Sequence, residues 1–287
     1  MQYRLAPACL ALLGGLAVAP ALGLADPRLD ISPRAPRPGD PVLVTVSGVD
    51  KPPKGHAGKV PLTFFAVRQG WQALVALPID DTQTELKIVV TEPALSQTVA
   101  LTERRWDEEQ VTIDPEMAEP PADKRKIIDG DNAAIIAGLK DSEPPLFHGA
   151  FAVPGSGVRT SSFGAWRTFN GGYRSRHLGL DYAARKGAAT RAIQDGKVTL
   201  VRTGFLTGGT VVVVHGGGIA STYFHLDDIK VAVGDTIKRG ALLGKVGLTG
   251  RTTGPHIHVG IWLHNSFVDP EVFFRLRIGI PTPPATK

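Results

Sequence analysis

Cysteine is almost absent: the 287 residues contain one, Cys9, alongside only two methionines. Cys9 lies inside an apolar run from Leu5 to Leu24 and ahead of most of it, whereas a lipid-acceptor cysteine would follow such a run. Lipidation is therefore not expected. Met1-Gln2-Tyr3-Arg4, the apolar run and the small residues of Gly23-Leu24-Ala25 predict a secretory signal peptide over residues 1–25, cleaved before Asp26. The competing reading is a retained transmembrane anchor. Gly14, Gly15 and Pro20 interrupt the run, which barely reaches the ~20 residues that a span requires. The mature chain would contain no cysteine, so it needs no disulfide and offers no thiol to oxidise outside the cytoplasm.

Charge is also sparse, at 21% of residues against 43% hydrophobic, which excludes a disordered chain. The length exceeds the ~250 residues at which single cores usually stop growing, so two domains are expected. Loss of Arg4 with the leader takes the 32 basic residues to 31 against 27 acidic, a net charge of +4 with neutral histidines. No Lys/Arg-rich run or aromatic-basic platform is present, so nucleic acid is not an expected partner. No internal repeat or low-complexity tract is evident either.

The apolar residues fall in short β-branched runs between turn residues, and the expected fold class is mainly β. Residues 26–106 predict a small antiparallel β-sandwich of immunoglobulin-like type. Its runs are Val42–Val46, Leu62–Val67, Ala73–Leu77, Leu86–Val90 and Thr98–Leu101, with Gln69-Gly70 turning between the second and third. No catalytic constellation occurs in it. Residues 107–146 are acidic and proline-punctuated and read as a linker that docks, with one short helix whose apolar side is Ile127, Ile128, Ile135, Ile136 and Leu139. Such a linker beside a site would act as a lid, with Asn132 or His148 in reach of a bound ion. Residues 147–276 are rich in glycine and strand signals, with runs at Val198–Val201, Thr210–Val214, Ile219–Phe224, Ala241–Val246 and His256–Leu263. They predict an antiparallel all-β domain, followed by a tail at 277–287.

The chemistry concentrates in this second domain. Side chains alternate along a strand, so His256 and His258 of Gly254-Pro255-His256-Ile257-His258 point to one side and can converge on one target, expected to be a metal ion. His177 and Asp181 would lie ~13 Å apart on a fully extended strand at ~3.3 Å per residue, so the chain should bend between them, and Gly179 would permit it. Adding one histidine of the H-x-H pair gives two imidazoles and a carboxylate. That set suits Zn²⁺ with a fourth position left for water, which is an open and therefore catalytic type of site. No H-E-x-x-H occurs, so a glutamate general base is not signalled.

An ordered series of motifs then resembles one family. Ser162-Phe163-Gly164, Arg176-His177-Leu178-Gly179-Leu180-Asp181, His215-Gly216, Tyr223-Phe224-His225-Leu226, Gly234-Asp235, Gly247-Leu248-Thr249-Gly250, the H-x-H segment and Val268-Asp269-Pro270 together resemble the lysostaphin-type, or LytM-domain, zinc endopeptidases from Phe147 to Phe274. The resemblance implies one Zn²⁺ per chain held by His177, Asp181 and His258. It further implies catalytic roles for His225 and His256, and a substrate groove at Phe163, Tyr223, Thr249, Gly250 and Thr253. His215 is expected at a turn or supporting position, and His56 and His264 at the surface. The implied substrate is bacterial peptidoglycan, cut at the D-alanine to meso-diaminopimelate crosslink, and the implied place is the periplasm or outside the cell, with no membrane anchor after signal cleavage. Two other readings compete: a non-catalytic wall-binding regulator of amidases, a role taken by some relatives that lose metal ligands although this sequence retains every one, and a zinc peptidase acting on proteins.

Overall fold

The computed structural model describes residues 26–140, 143–155 and 157–279. The expected signal peptide and most of the expected tail lie outside them. The chain opens with β1 (Arg28–Ser32), β2 (Pro41–Ser47), β3 (Lys54–Ala57), β4 (Val60–Pro61), β5 (Phe65–Val67), β6 (Gly70–Ala76), β7 (Glu85–Glu92) and β8 (Leu95–Ala100). These form two four-stranded sheets in the orders β1-β2-β6-β5 and β4-β3-β7-β8. Ile31, Val42, Val44, Ala73 and Val75 of the first sheet pack on Ala57, Leu86, Ile88 and Val99 of the second, as a sandwich requires. The run Leu62–Val67 is strand only from Phe65, and β1 and β3 add to the expected strands.

The Val42–Val46 run lacks polar alternation because both its faces are covered. Val42 and Val44 face the sandwich, while Leu43 and its cross-strand partner Leu74 join the core of the second domain. Polar contacts follow the same seam. Arg104 bridges the buried carboxylates of Asp40 and Asp269, and Phe65 meets Phe147 edge-on at 5.5 Å. Burial raises the Asp40 carboxyl even with Arg104 beside it. His264, expected at the surface, faces the Leu74 carbonyl at 3.2 Å. The expected tail begins inside the fold, since Ile278 is buried and Gln72 binds Arg277 O and Gly279 N.

Between the two parts run β9 (Glu108–Val111), α1 (Pro115–Ala118) and α2 (Ala122–Leu139). The expected short helix is 18 residues long. Ile135 and Leu139 pack on Val212, Val214, Ala220 and Trp262, whereas Ile127 and Ile136 stay exposed. The other end of the segment is strand: β9 pairs in parallel with a strand of the second domain.

That domain contains β10 (Val158–Ser161), β11 (Trp166–Phe169), β12 (Arg174–Arg176), β13 (Leu180–Ala183), β14 (Ala189–Arg191), β15 (Gly196–Gly204), β16 (Gly208–Gly216), β17 (Ile219–Asp227), β18 (Thr236–Ile237), β19 (Leu242–Val246), β20 (His256–Leu263), β21 (Ser266–Val268) and the short helix α3 (Pro270–Phe273). Its large sheet runs β10-β13-β20-β17-β16-β15-β18, with β14, β19 and β21 attached, and a small sheet β12-β11-β9 lies beside it. One face of the large sheet, carrying Leu180, Tyr182, Val211, Val213, Tyr223, Ile257, Val259 and Ile261, is the domain core. Alternation sends Asp181, Val212, Val214, His258 and Trp262 to the opposite face. The site and α2 therefore share one face.

Candidate metal centre

Two antiparallel registers assemble the centre. β13 pairs with β20 so that Asp181 stands opposite His258 and Ala183 opposite His256, and β17 places Phe224 opposite His258 on the other side. Directly opposed residues share a face, so the H-x-H pair and the carboxylate converge as the alternation predicted. Phe224 stacks flat on the His258 ring, with centroids 4.9 Å apart and planes 3° from parallel. His177 comes from the break between β12 and β13.

Gly179 sits in that break for a reason other than the expected one. Its φ is not in the left-handed region, but a Cβ there would lie 2.5 Å from His258 Nε2 and 2.5 Å from Val259 O. The glycine leaves room for the histidine ring to lie against the backbone.

His177 Nε2, Asp181 Oδ1 and His258 Nδ1 form a small triangle with edges of 2.9, 3.0 and 3.0 Å. All three residues are buried. His177 Nδ1 faces the Ser162 carbonyl at 2.8 Å and so carries the ring proton. Its Nε2 then points a lone pair at a carboxylate oxygen and another ring nitrogen. Burial would raise the Asp181 carboxyl, but the facing His177 and His258 rings outweigh it and hold the group well below the usual range. Burial pushes His258 down to about 4, so it is a neutral donor at pH 7. Three electron-pair donors aimed at one another in a dry site fit a cation between them, with the two-imidazole, one-carboxylate set of an open zinc site.

His225 and His256 stand beside the triangle. Their ring centroids are 4.7 Å apart, and His256 Nε2 lies 3.8 Å from Asp181 Oδ1. Each has its Nδ1 against a backbone carbonyl, Thr249 O for His225 and Gly254 O for His256, both at 2.8 Å. Both Nδ1 atoms are thereby the donors, which leaves each Nε2 with a lone pair. Burial first, then the neighbouring His256 and His258 rings, lower His225 to about 3. His225 reaches the site through a left-handed backbone, φ 63°. Regular alternation would aim it with Tyr223 into the core, and a register shift between β16 and β17 accompanies the departure. A histidine held in this sparsely populated region marks a place where geometry is set by the site.

The expected groove needs correction. Thr253 does line the opening beside Asp181 and His256, a groove of about 300 Å³. Phe163 is 2% exposed and packs against Trp106 in the interior. Tyr223 is fully buried, its hydroxyl bonded to Ile193 N and Ser221 Oγ. Thr249 uses its side chain on Gly209 N and Leu226 O, so its part in the site is the carbonyl that holds His225. Gly250 makes the turn after it at φ 74°. His148 does not join the donor cluster, and Asn132 is exposed on α2 and absent from the groove lining. His215 is a buried supporting residue, bonded to Asp195 O and Ser221 Oγ.

Three residues that the sequence did not single out complete the surroundings. Arg167 on β11 binds Asp181 Oδ2 and Ser161 Oγ, and its Nε donates to Glu109 Oε2 at 2.8 Å. Glu109 arrives on β9, paired alongside Arg167 in the parallel ladder. This ion chain ties the second oxygen of Asp181 and leaves Oδ1 to the cluster, the arrangement by which supporting groups orient metal ligands. Ser161 closes it through a 2.5 Å bond to Glu109 Oε1.

Comparison with known proteins agrees with this geometry. Residues 175–270 match Peptidase family M23. This region is an M23 peptidase domain. A DD-carboxypeptidase/endopeptidase, Mpg, from Neisseria meningitidis is 35% identical over 111 residues, covering 39% of the chain and 24% of that protein. The peptidoglycan DD-endopeptidase ShyB of Vibrio cholerae is 40% identical over 93 residues, covering 32% of the chain and 22% of that protein. The matched stretch thus spans about a quarter of these relatives. A crystal structure of a candidate peptidase M23 from Pseudomonas aeruginosa superimposes on 83% of the chain and 95% of its own, with TM-score 0.64 and 29% identity. That similarity extends beyond the M23 domain into the sandwich and the intervening segment.

Proposed function

We propose that the chain is a zinc-dependent endopeptidase that hydrolyses the peptide crosslinks of bacterial peptidoglycan, with the D-alanyl to meso-diaminopimelate bond as its target. The observation that carries the reading is the buried triangle of His177, Asp181 and His258, flanked by two histidines with free Nε2 lone pairs. The relatives named as peptidoglycan or DD-endopeptidases support the choice of substrate.

His177, Asp181 and His258 would hold the ion, which when bound supplies Lewis-acid polarisation of a carbonyl and a lowered pKa for water. Arg167 anchors the far oxygen of Asp181 and keeps the near one aimed inward. His225 and His256, each oriented through Nδ1, are set to accept a proton at Nε2 during attack and to return one to the departing amine. Phe224 and the buried sheet face exclude water from behind the His258 ring. A wall enzyme of this kind works in the periplasm or outside the cell. Among the described residues no helix is long and apolar enough to cross a membrane.

The test is digestion of purified crosslinked peptidoglycan by residues 26–287, read by mass spectrometry. Crosslinked dimers should fall to monomers, stop with a chelator, resume with zinc and fail in His258→Ala. A wall left intact by the zinc-loaded protein would count against the reading and favour a binding or regulatory role.

A further inference from the structure

Arg251 is the unexplained charge in the groove. It lies on the loop between β19 and β20, where its backbone N–H donates to Leu206 O at 2.8 Å. Its guanidinium sits over the Phe169 ring, 4.2 Å from the centroid. Nη1 is buried and has no hydrogen-bond partner. Burial disfavours its charged form, with the neighbouring Tyr173 opposing this and the nearby Arg167 adding to it.

The other charges around it are already matched. Arg167 is held by Glu109, Ser161 and Asp181. Glu109 has one oxygen on Ser161 and the other on Arg167. Asp181 turns one oxygen to Arg167 and the other to the donor triangle. Among the described residues no carboxylate forms an ion pair with Arg251, although Arg251, Asp181 and His256 line the same groove. A buried guanidinium nitrogen without an acceptor is costly. The Phe169 stack fixes its position in spite of that cost.

We propose that Arg251 is a specificity residue that binds a free carboxylate on the amine side of the scissile bond. The idea rests on the crosslink-endopeptidase reading. In the D-alanyl to meso-diaminopimelate crosslink, the carbon bearing the scissile nitrogen also bears a carboxylate. The segment from Arg251 leads through Thr252 and Gly254, which both bond His256 Nδ1, to one of the two rings assigned together to proton exchange with the attacking water and the departing amine. A guanidinium in this loop is therefore placed to meet an acid next to that amine, and planar guanidinium–carboxylate pairing is strong and geometrically selective. Crosslinks in which that carboxylate is amidated, or in which glycine follows the bond, present no partner for it.

The test uses two synthetic crosslinked peptides, identical except that the carboxylate beside the scissile nitrogen is free in one and a primary amide in the other. Calorimetry on the chelator-treated full chain separates binding from turnover. The free acid should bind about tenfold or more tightly than the amide, as a charged hydrogen-bonding group of ~1.5–3 kcal/mol implies. Arg251→Gln should erase the difference, and Arg251→Lys should restore part of it. Equal affinity of the unaltered chain for both peptides would overturn the proposal, and that comparison needs no variant to fold. Acid preference surviving in a folded Arg251→Gln protein would overturn it as well. Equal cleavage of both peptides by the zinc-loaded chain removes the role of Arg251 alone, whereas cleavage of neither removes the endopeptidase reading and this inference with it.

Discussion

Three histidines at the site are oriented by the partner of their second nitrogen. His177, His225 and His256 all give Nδ1–H to backbone carbonyls, so each presents Nε2 to the site. His215 spends both nitrogens within the fold, on Asp195 O and Ser221 Oγ, and is fully buried. Burial lowers its pKa to about 4, the backbone acceptor at Asp195 only partly opposing this. The unfolded chain takes up the proton near the ordinary ~6.5, so the stabilising contribution is complete above that pH and is lost as pH falls from ~6.5 to ~4. The loss amounts to about 3 kcal/mol. In urea titrations, His215→Gln should be the less stable protein at pH 7.5, with a gap that narrows by about this amount at pH 4. A gap constant with pH would show that His215 does not remain neutral in the fold.

At the scale of elements, the site depends on two strand registers and one tight approach. Asp181 opposite His258 follows from the pairing of β13 with β20, and Gly179 lets the His258 ring settle on the chain next to it. Gly179→Ala places a methyl group 2.5 Å from both His258 Nε2 and Val259 O, so the ring or the strand must move. Zinc affinity, measured by competition with a chromophoric chelator, should fall more than tenfold while the circular dichroism of the folded chain is kept. Unchanged affinity would show that the ring position is not critical.

The same elements show what local pattern conveys. Alternation in His256-Ile257-His258 and the need for a bend before Asp181 were legible, because both depend on residues close in sequence. The left-handed φ at His225 was not, since strand periodicity assigns it the same face as Tyr223. Tyr223 and Phe163 read as groove residues by position, yet cross-sheet packing buries both. Glu109 and Arg167 left no local signal, because their meeting depends on a parallel ladder between segments 58 residues apart. Val42–Val46 was recognisable as strand, but only the assembled core explains why both of its faces are apolar.

Across the whole molecule, the sandwich and the M23 domain are joined by apolar packing around Leu43, Leu74 and Phe147 and by one buried cation. Arg104 is 10% exposed and lies between Asp40 and Asp269, and Asp269 also caps α3 through Glu271 N. Removing the cation leaves two buried carboxylates facing each other. Arg104→Met should destabilise the chain by about 3–5 kcal/mol, seen as a lowered denaturation midpoint. A midpoint unchanged within error would mean that the seam does not rely on the ion pair. The segment between the domains belongs to this architecture too: β9 brings Glu109 to the charge chain behind Asp181, and α2 covers the site-bearing face of the sheet.

The central claim is that His177, Asp181 and His258 form one zinc site, and native mass spectrometry of the intact protein addresses it most directly. Residues 26–287 should carry one zinc ion per chain, and His177→Ala, Asp181→Ala and His258→Ala should each carry none while remaining folded. Stoichiometric zinc in a folded His258→Ala protein, or no zinc taken up by the unaltered chain after reconstitution, would contradict the account.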